Sequence, residues 1–299
     1  GNCFILKPSE KTPLATLKIA EYLKEAGLPD GVFQILNGSQ EAVEAICDHP
    51  DIKAVAFVGS SKVAKIVYTR TTAQGKRALC LGGAKNHAVV MPDSDIDSVV
   101  NQLIGAAFGS SGQRCMAISV AVLVGDALAE KFIEKIRLVS NGLQVGAFNN
   151  RDNDFGPVVT REHKNKIEAL ITSAEDDGAE IVVDGRLFKP ADDLRGGFFL
   201  GPTVIDKTEI WMESYKEEIF GPVLQIIRVK TLSEAIRLIN KNAYGNGCCV
   251  FTGDGNTARI FSEEVRAGMI GINVPLPVPA ATQSFGGWRD SLFGDLHIY

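Results

Sequence analysis

The segment "KAVAFVGSSKVAKIVYTRTTAQGKRALCLGG" (residues 53–83) decides the fold. "KAVAFVG" (53–59) is an apolar run closed by a glycine, the pattern of a buried strand. "SSKVAKIVYTRTTA" (60–73) then reads as a helix and "RALCLGG" (77–83) as a second strand. Strand, helix and strand in about 30 residues make a right-handed βαβ unit with parallel strands. The alternation extends in both directions. Upstream, "NCFILK" (2–7) and "VFQIL" (32–36) are predicted strands, and residues 13–26 and 39–49 predicted helices, the second capped by Ser39. Downstream, strands at "HAVVM" (87–91), "MAISVAVLV" (116–124), "AEIVVDG", "GFFLGPTVI", "PVLQIIRV", "GCCVFTGDG" and "MIGINV" are spaced by helices such as 92–109, 126–139 and 160–176. The expectation is an α/β protein of two doubly wound lobes, each in three layers, with a boundary near residues 82–86.

Composition excludes several classes. The net charge of −5 supplies no basic footprint, so neither nucleic acid nor an anionic membrane is expected as a partner. No apolar run reaches the roughly 18–20 residues of a membrane span. The six cysteines and four histidines show no metal-ligand spacing, so no metal is expected, and the chain reads as a reduced, intracellular protein. It opens inside a predicted strand, which suggests that its beginning lies upstream.

Several short motifs bear on chemistry. "GDGNTA" (253–258) satisfies G-x-G-x-x-A but is followed by no acid at the end of "MIGINV", so an ordinary turn and helix start is expected. The acids of "PDSDID" (92–97) read as helix N-terminal residues favoured by the macrodipole rather than as a metal loop. "FVGSS" (57–61) puts Gly59 and Ser60 between a strand and a helix, either a simple cap or a pyrophosphate site. "LKPSE" (6–10) is similarly open: Lys7 and Glu10 follow a strand, at a ligand position or a helix entry. "GSSGQRCMAISV" (109–120) presents Cys115 after a small-residue turn and beside Arg114. Local chemistry leaves it as either a packing residue or a nucleophile with a depressed pKa. "YKEEIFGPV" (215–223) sets Glu217 and Glu218 before a sharp turn, as surface residues or as part of a site.

Taken together and in order, "GNCFILKPSE", "GLPDGVFQILNG", "AFVGSSKVAK", "LGGAKNH", "GQRCMA", "KEEIFGPV", "YGNGCCVFT" and "GMIGINVP" resemble the aldehyde dehydrogenase superfamily over essentially the whole chain. "GAKNH", "GQRCMAIS", "INVPLPVP" and "SFGGW" are most similar to its CoA-acylating methylmalonate-semialdehyde dehydrogenase branch. The resemblance implies an aldehyde dehydrogenase-like fold truncated at both ends. Residues 1–83 would be a partial NAD-binding domain and 84–275 the catalytic domain. Residues 276–299 would line the substrate site, without the family's final oligomerisation strand.

Roles follow from the same resemblance. Cys115 matches the nucleophile and Arg114 a residue that pairs with the substrate carboxylate. Lys7 and Glu10 match residues that hold the adenosine ribose of NAD, with Lys11 beside them. Gly59 and Ser60 match the pyrophosphate contact, Gly82 lies near the nicotinamide, and Glu218 matches the acid on the nicotinamide ribose, with Phe220 beside it. The implied reaction oxidises methylmalonate or malonate semialdehyde with NAD through a Cys115 thioacyl intermediate. Coenzyme A then takes the acyl group and CO2 is lost, giving propionyl-CoA or acetyl-CoA. The alternatives are a non-acylating aldehyde dehydrogenase and a truncated, non-catalytic fragment with a partial nucleotide site. The resemblance also implies a homo-oligomer at full length, in the mitochondrial matrix of a eukaryote or the cytoplasm of a bacterium.

Three departures stand out. Hydrolytic relatives carry a glutamate directly before Leu-Gly-Gly as the base for water, whereas "ALCLGG" has Cys80 there. Cys80 is either a small apolar filler or a disulfide partner for Cys115. The family's oxyanion-hole asparagine and second carboxylate-binding arginine belong to an N-terminal region outside this sequence. "PVPAATQSF" replaces a more apolar, aromatic stretch of the substrate wall.

Overall fold

The computed structural model describes residues 2–280 and 282–294. Ala281 and residues 295–299, all within the expected C-terminal segment, lie outside the described residues. The chain divides after Gly82 into two compact units, and residues 293–294 rejoin the first.

In the first unit the decisive segment folds as expected. Strand β3 (Ala54–Val58) pairs in parallel with β4 (Arg77–Leu81), in register from Ala54 opposite Arg77 to Val58 opposite Leu81. Helix α3 (Ser61–Ala73) is the crossover. A second parallel pair, β1 (Phe4–Leu6) and β2 (Phe33–Ile35), is joined by α1 (Leu14–Glu25), and the Phe4 and Phe33 rings stack at 5.9 Å. Helix α2 (Gln40–Asp48) adds Cys47 to a core of Val55, Ala64, Val67, Ala78 and Cys80. Ser39 stands at the start of α2, but its side chain makes no capping bond.

The second unit carries the larger sheet. Its strands are β5 (Asn86–Val90), β6 (Ile118–Val124), β7 (Glu180–Val183), β8 (Thr203–Asp206), β9 (Val223–Val229), β10 (Tyr244–Gly245), β11 (Gly247–Phe251), β12 (Met269–Ile272) and β13 (Trp288–Arg289). The helices are α4 (Ile96–Phe108), α5 (Asp126–Asn141), α6 (Arg161–Asp176), α7 (Glu213–Lys216), α8 (Leu232–Lys241) and α9 (Gly255–Glu264). Seven strands run in the order β12-β11-β5-β6-β9-β8-β7, all parallel except the β7–β8 pair, while β10 and β13 form a separate antiparallel ribbon.

Strand periodicity explains the three layers. Val89, Val120 and Val122 face one side, where they meet Ile171 of α6, Ile236 of α8 and Phe261 of α9. Ala88, Val90, Ala121 and Leu123 face the other, against Leu103 of α4 and Phe132 and Ile136 of α5. With both faces covered, a central strand must be apolar at nearly every position, which is why "ISVAVLV" shows no alternation. Each fully buried large side chain contributes about 1.5–3 kcal/mol.

Adjacent parallel strands also gather their leading loops at one edge of the sheet. The segments entering β11, β5, β6 and β9 therefore meet at the amino ends of four neighbouring strands.

Candidate active site

Cys115 lies in the loop between α4 and β6. Ser110 (φ 54°), Ser111 (φ 57°) and Gly112 (φ 66°) make three successive left-handed residues there. Such a backbone costs about 1–2 kcal/mol per non-glycine residue, and local bonds hold it. Ser111 Oγ donates to the Gly156 carbonyl at 2.6 Å, and Gln113 Oε1 accepts the Val159 N–H at 3.0 Å. Gly112 is backed against the Gly221 carbonyl, only 2.0 Å from where a Cβ would stand. Between them these contacts turn the chain back so that Cys115, half-buried, faces a cleft lined also by Arg114, Ala84, Glu218 and Phe220.

The electrostatics of the thiol differ from those of a nucleophile with a depressed pKa, one of the two alternatives that local chemistry left open. Burial is the largest influence and raises its pKa; the N–H groups of Cys115 and Met116 pull it down, Glu218 raises it and Arg114 lowers it. The balance lies above the ordinary range, not below it. Arg114 acts weakly because its guanidinium is turned onto the last turn of α4. Nη2 donates to the Gly105 carbonyl, which also accepts the Gly109 N–H, and, at 3.3 Å, to that of Ala106. Nε of Arg114 is buried and has no hydrogen-bond partner among the described residues.

The two neighbouring acids diverge. Glu217 faces out and pairs with Lys166 at 3.5 Å. Glu218 turns in: Oε1 accepts the Ala84 N–H at 3.0 Å, and a Cβ on Gly83 would come within 2.7 Å of Oε2. That close approach is a local reason for the second glycine of Leu-Gly-Gly. Burial pushes the Glu218 carboxyl up, against the Ala84 N–H and the Lys85 ammonium. Phe220 follows with φ 52°, and its carbonyl is hydrogen-bonded to His163 Nε2 at 2.7 Å.

The tetrapeptide "AKNH" (84–87) ties these pieces together, and the sequence reading gave it no role. Lys85 is buried and donates to the carbonyls of Ser214 (2.7 Å) and Glu217 (2.8 Å), holding the segment that carries Glu218. Asn86 donates to the carbonyls of Cys115 (2.8 Å) and Ala117 (2.9 Å) and accepts the Gly247 N–H (3.0 Å). His87 bonds the Tyr215 hydroxyl at 3.0 Å, and burial pushes its pKa down to about 3. The available signal was Lys85 just before a fully buried strand and two further polar residues, Asn86 and His87, opening it, since buried polar groups are the informative exceptions. Strand β6 begins two residues later than expected because Met116 and Ala117 belong to this clamped loop.

Lys85 makes stability depend on pH. Burial pulls its ammonium from 10.5 to about 7, against Glu218 and Glu217. Between those values the unfolded chain holds more protons than the folded one, so stability rises with pH across this window. The slope is up to about 1.4 kcal/mol per pH unit. Urea denaturation at pH 7, 8 and 9 should show the slope in the wild type and its loss in Lys85→Met; equal slopes would refute it.

The remaining predicted site residues lie in the first unit. Lys7 Nζ donates to the carbonyls of Pro8 (2.6 Å) and Gly38 (2.8 Å) and stands 4.0 Å from Glu10. Lys11 is exposed, with its N–H on Ser9 Oγ at 3.2 Å. Gly59 donates its N–H to Leu81, and Ser60 begins α3 without a side-chain cap. Gly82 follows β4 at the end of the unit. A helix start with its glycine in place and its first turn uncapped by Ser60 suits a pyrophosphate. By contrast, Asp254 caps α9 through the Thr257 N–H at 2.7 Å, so "GDGNTA" is an ordinary helix start. Asp95 caps α4 in the same way, resolving the acidic run. Cys80 is fully buried beside Cys47, its thiol pushed up to about 12 by burial, as a packing residue.

Comparison with known proteins places this geometry. The sequence model of the aldehyde dehydrogenase family matches residues 1–298. Malonate-semialdehyde dehydrogenase of Pseudomonas aeruginosa is 53% identical over 299 residues, 100% of this chain and 60% of that protein. The crystal structure of methylmalonate-semialdehyde dehydrogenase from Oceanimonas doudoroffii superposes with TM-score 0.97 at 56% identity, covering 99% of this chain and 60% of the other. A Sinorhizobium meliloti protein assigned as a methylmalonate-semialdehyde dehydrogenase, in complex with NAD, gives TM-score 0.97 at 49% identity, with coverage of 99% and 60%. The chain thus spans about three fifths of the length of these relatives.

Proposed function

Because the chain belongs to the aldehyde dehydrogenase family, we propose that it oxidises malonate or methylmalonate semialdehyde with NAD and transfers the acyl group to coenzyme A. One observation carries this reading: Cys115, Arg114 and Glu218 line a single cleft of the second unit. The names of the relatives support the choice of semialdehyde.

The Cys115 thiolate adds to the aldehyde carbon, and the carbonyl electron pair moves onto oxygen to give a hemithioacetal. NAD, when bound, supplies the acceptor for the hydride that this carbon loses as it becomes a Cys115 thioester. Lys7, Glu10, Gly59 and Ser60 are the first-unit residues suited to the adenosine and pyrophosphate. Glu218, whose carboxylate is already oriented by Ala84, suits the hydroxyls of a ribose. The CoA thiolate then attacks the thioester, the bond to Cys115 Sγ breaks, and the acyl-CoA leaves with the Cys115 thiolate re-formed. The carboxylate leaves as CO2, the electron pair of the broken C–C bond stays on the α-carbon, and a proton from water fills it, giving acetyl-CoA from malonate semialdehyde and propionyl-CoA from the methyl compound. A thiol acceptor fits the sequence, in which Cys80 stands where hydrolytic relatives carry their glutamate base, because a free thiol ionises partly near neutral pH unaided.

The test follows NADH formation from malonate semialdehyde with and without CoA, with products identified by mass spectrometry. CoA-dependent acetyl-CoA formation is expected. CoA-independent release of the acid would remove the acylating step, and no turnover by folded protein would remove the activity. The family likeness assigns the Arg114 guanidinium to the substrate carboxylate, and its buried Nε, without a partner among the described residues, supports that reading. Arg114→Lys keeps the charge and loses the fork, so KM for malonate semialdehyde should rise about 10- to 100-fold. KM for propanal, which has no carboxylate, should stay the same; a parallel rise would assign Arg114 to the loop alone.

A further inference from the structure

Asn86 opens β5 beneath the nucleophile loop and is 1% exposed. A carboxamide buried that deeply must have its polar atoms paired. Here its partners are the site itself. Nδ2 donates to the carbonyls of Cys115 and Ala117, and Oδ1 accepts the N–H of Gly247. Asn246, at the entry to β11, places a second donor on the Cys115 carbonyl at 2.9 Å. That oxygen therefore has both lone pairs engaged by side-chain amides. Pairing of β5 with β6 is irregular between Asn86 and His87, so at this point the carboxamide, rather than the regular ladder, binds the incoming chain.

Peptide geometry turns this anchor into an effect on the sulfur. The Cys115 carbonyl and the Met116 N–H belong to one planar trans unit and point in opposite directions. Fixing the oxygen therefore fixes the N–H. Backbone hydrogen bonding by the Met116 N–H, together with that of Cys115, pulls the Cys115 thiol down. We propose that Asn86, assisted by Asn246, is a positioning residue that locks the Cys115–Met116 peptide so that its N–H meets the sulfur as the thiolate forms. The role rests on Cys115 being the nucleophile. Asn86 touches no reacting atom and acts only through this peptide. Burial and the Glu218 carboxylate both oppose ionisation of the thiol, so an oriented N–H is one of the few local groups that favour it.

The test reads the sulfur directly and needs neither aldehyde nor NAD, so it is independent of whether the chain turns over. The full chain is treated with iodoacetamide between pH 6 and 10, and modification of Cys115 is followed by peptide mass spectrometry, because five other cysteines are present. For Asn86→Ala the rate at neutral pH should fall about tenfold and the profile should move to higher pH. Asn86→Asp, which points an oxygen at the Cys115 carbonyl, should be at least as slow. Asn246→Ala should shift the profile less, in the same direction. Leu123→Ala, a cavity in the same sheet, is the control for loosening: it should lower Tm and leave the profile in place. A wild-type profile in Asn86→Ala, or an equal shift in Leu123→Ala, would overturn the proposal. If Asn86→Ala does not fold, Asn246→Ala decides alone, and an unshifted profile there overturns it.

Discussion

Replacing Cys115 with alanine is expected to lower NADH formation from malonate semialdehyde and CoA by about 10^4-fold or more, with Tm close to wild type. The size follows from covalent catalysis: without Sγ no thioester forms, and neither hydride loss nor acyl transfer has its carbon held in place. Stability should be nearly untouched because the side chain is half-buried at a cleft and its backbone carbonyl, not its sulfur, carries the bonds to Asn86 and Asn246. The measurement is a single NADH time course for the two proteins at matched concentration, with circular dichroism to confirm folding. Turnover within about tenfold of wild type would move the nucleophile away from Cys115.

Gly112→Ala is expected to act on both structure and site. Its φ of 66° disfavours any side chain, and the new Cβ would lie 2.0 Å from the Gly221 oxygen and 2.5 Å from the Gly221 carbon. A neighbouring side chain could rotate away, but a backbone carbonyl cannot without moving its loop. That loop carries Glu218 and Phe220, so relief of the clash separates the two halves of the cleft. Loss of about 3 kcal/mol or more in chemical denaturation is expected, with Cys115 activity lost in whatever remains folded. Gly105→Ala is the matched control: on α4, with nothing within 4 Å of the new Cβ, it should leave stability unchanged or slightly raised. If Gly112→Ala behaved like Gly105→Ala, the close approach of the two loops would be refuted.

Much of the fold was legible because its signals are local. The run "KAVAFVG", the helix after it and the strand "RALCLGG" needed only periodicity and a glycine stop, and they fold as a parallel βαβ unit. "GDGNTA" and "PDSDID" were also readable, since a capping aspartate bonds amides two or three residues away. Ser39 shows the limit of such reasoning: the residue type and position suit a cap, yet its side chain makes no capping bond. Of the site, the cysteine on its small-residue turn and the paired acids could be singled out locally, and the family likeness, not the local pattern, chose Glu218 over Glu217. Lys85 and Asn86 entered only as part of the likeness motif "GAKNH" and were given no role, because a lysine and an asparagine at the start of a strand resemble solvated residues until burial is known.

From the sequence alone came the α/β alternation, the boundary near Gly82, Cys115 as candidate nucleophile and the family likeness. The tertiary structure alone decided that Arg114 is turned onto α4 and that the thiol is held above its ordinary pKa. It also decided that the Ala84 N–H orients Glu218 while Glu217 pairs outward with Lys166, and that Asn86 holds the loop of the nucleophile. The physical reason is range. Helix and strand patterns, caps and turns are set by neighbours within a few residues, whereas the site is made where parallel strands bring their leading loops together. There Asn86 reaches Cys115 across 29 positions and Gly247 across 161, and the burial that shifts the charges exists only once the sheet has formed.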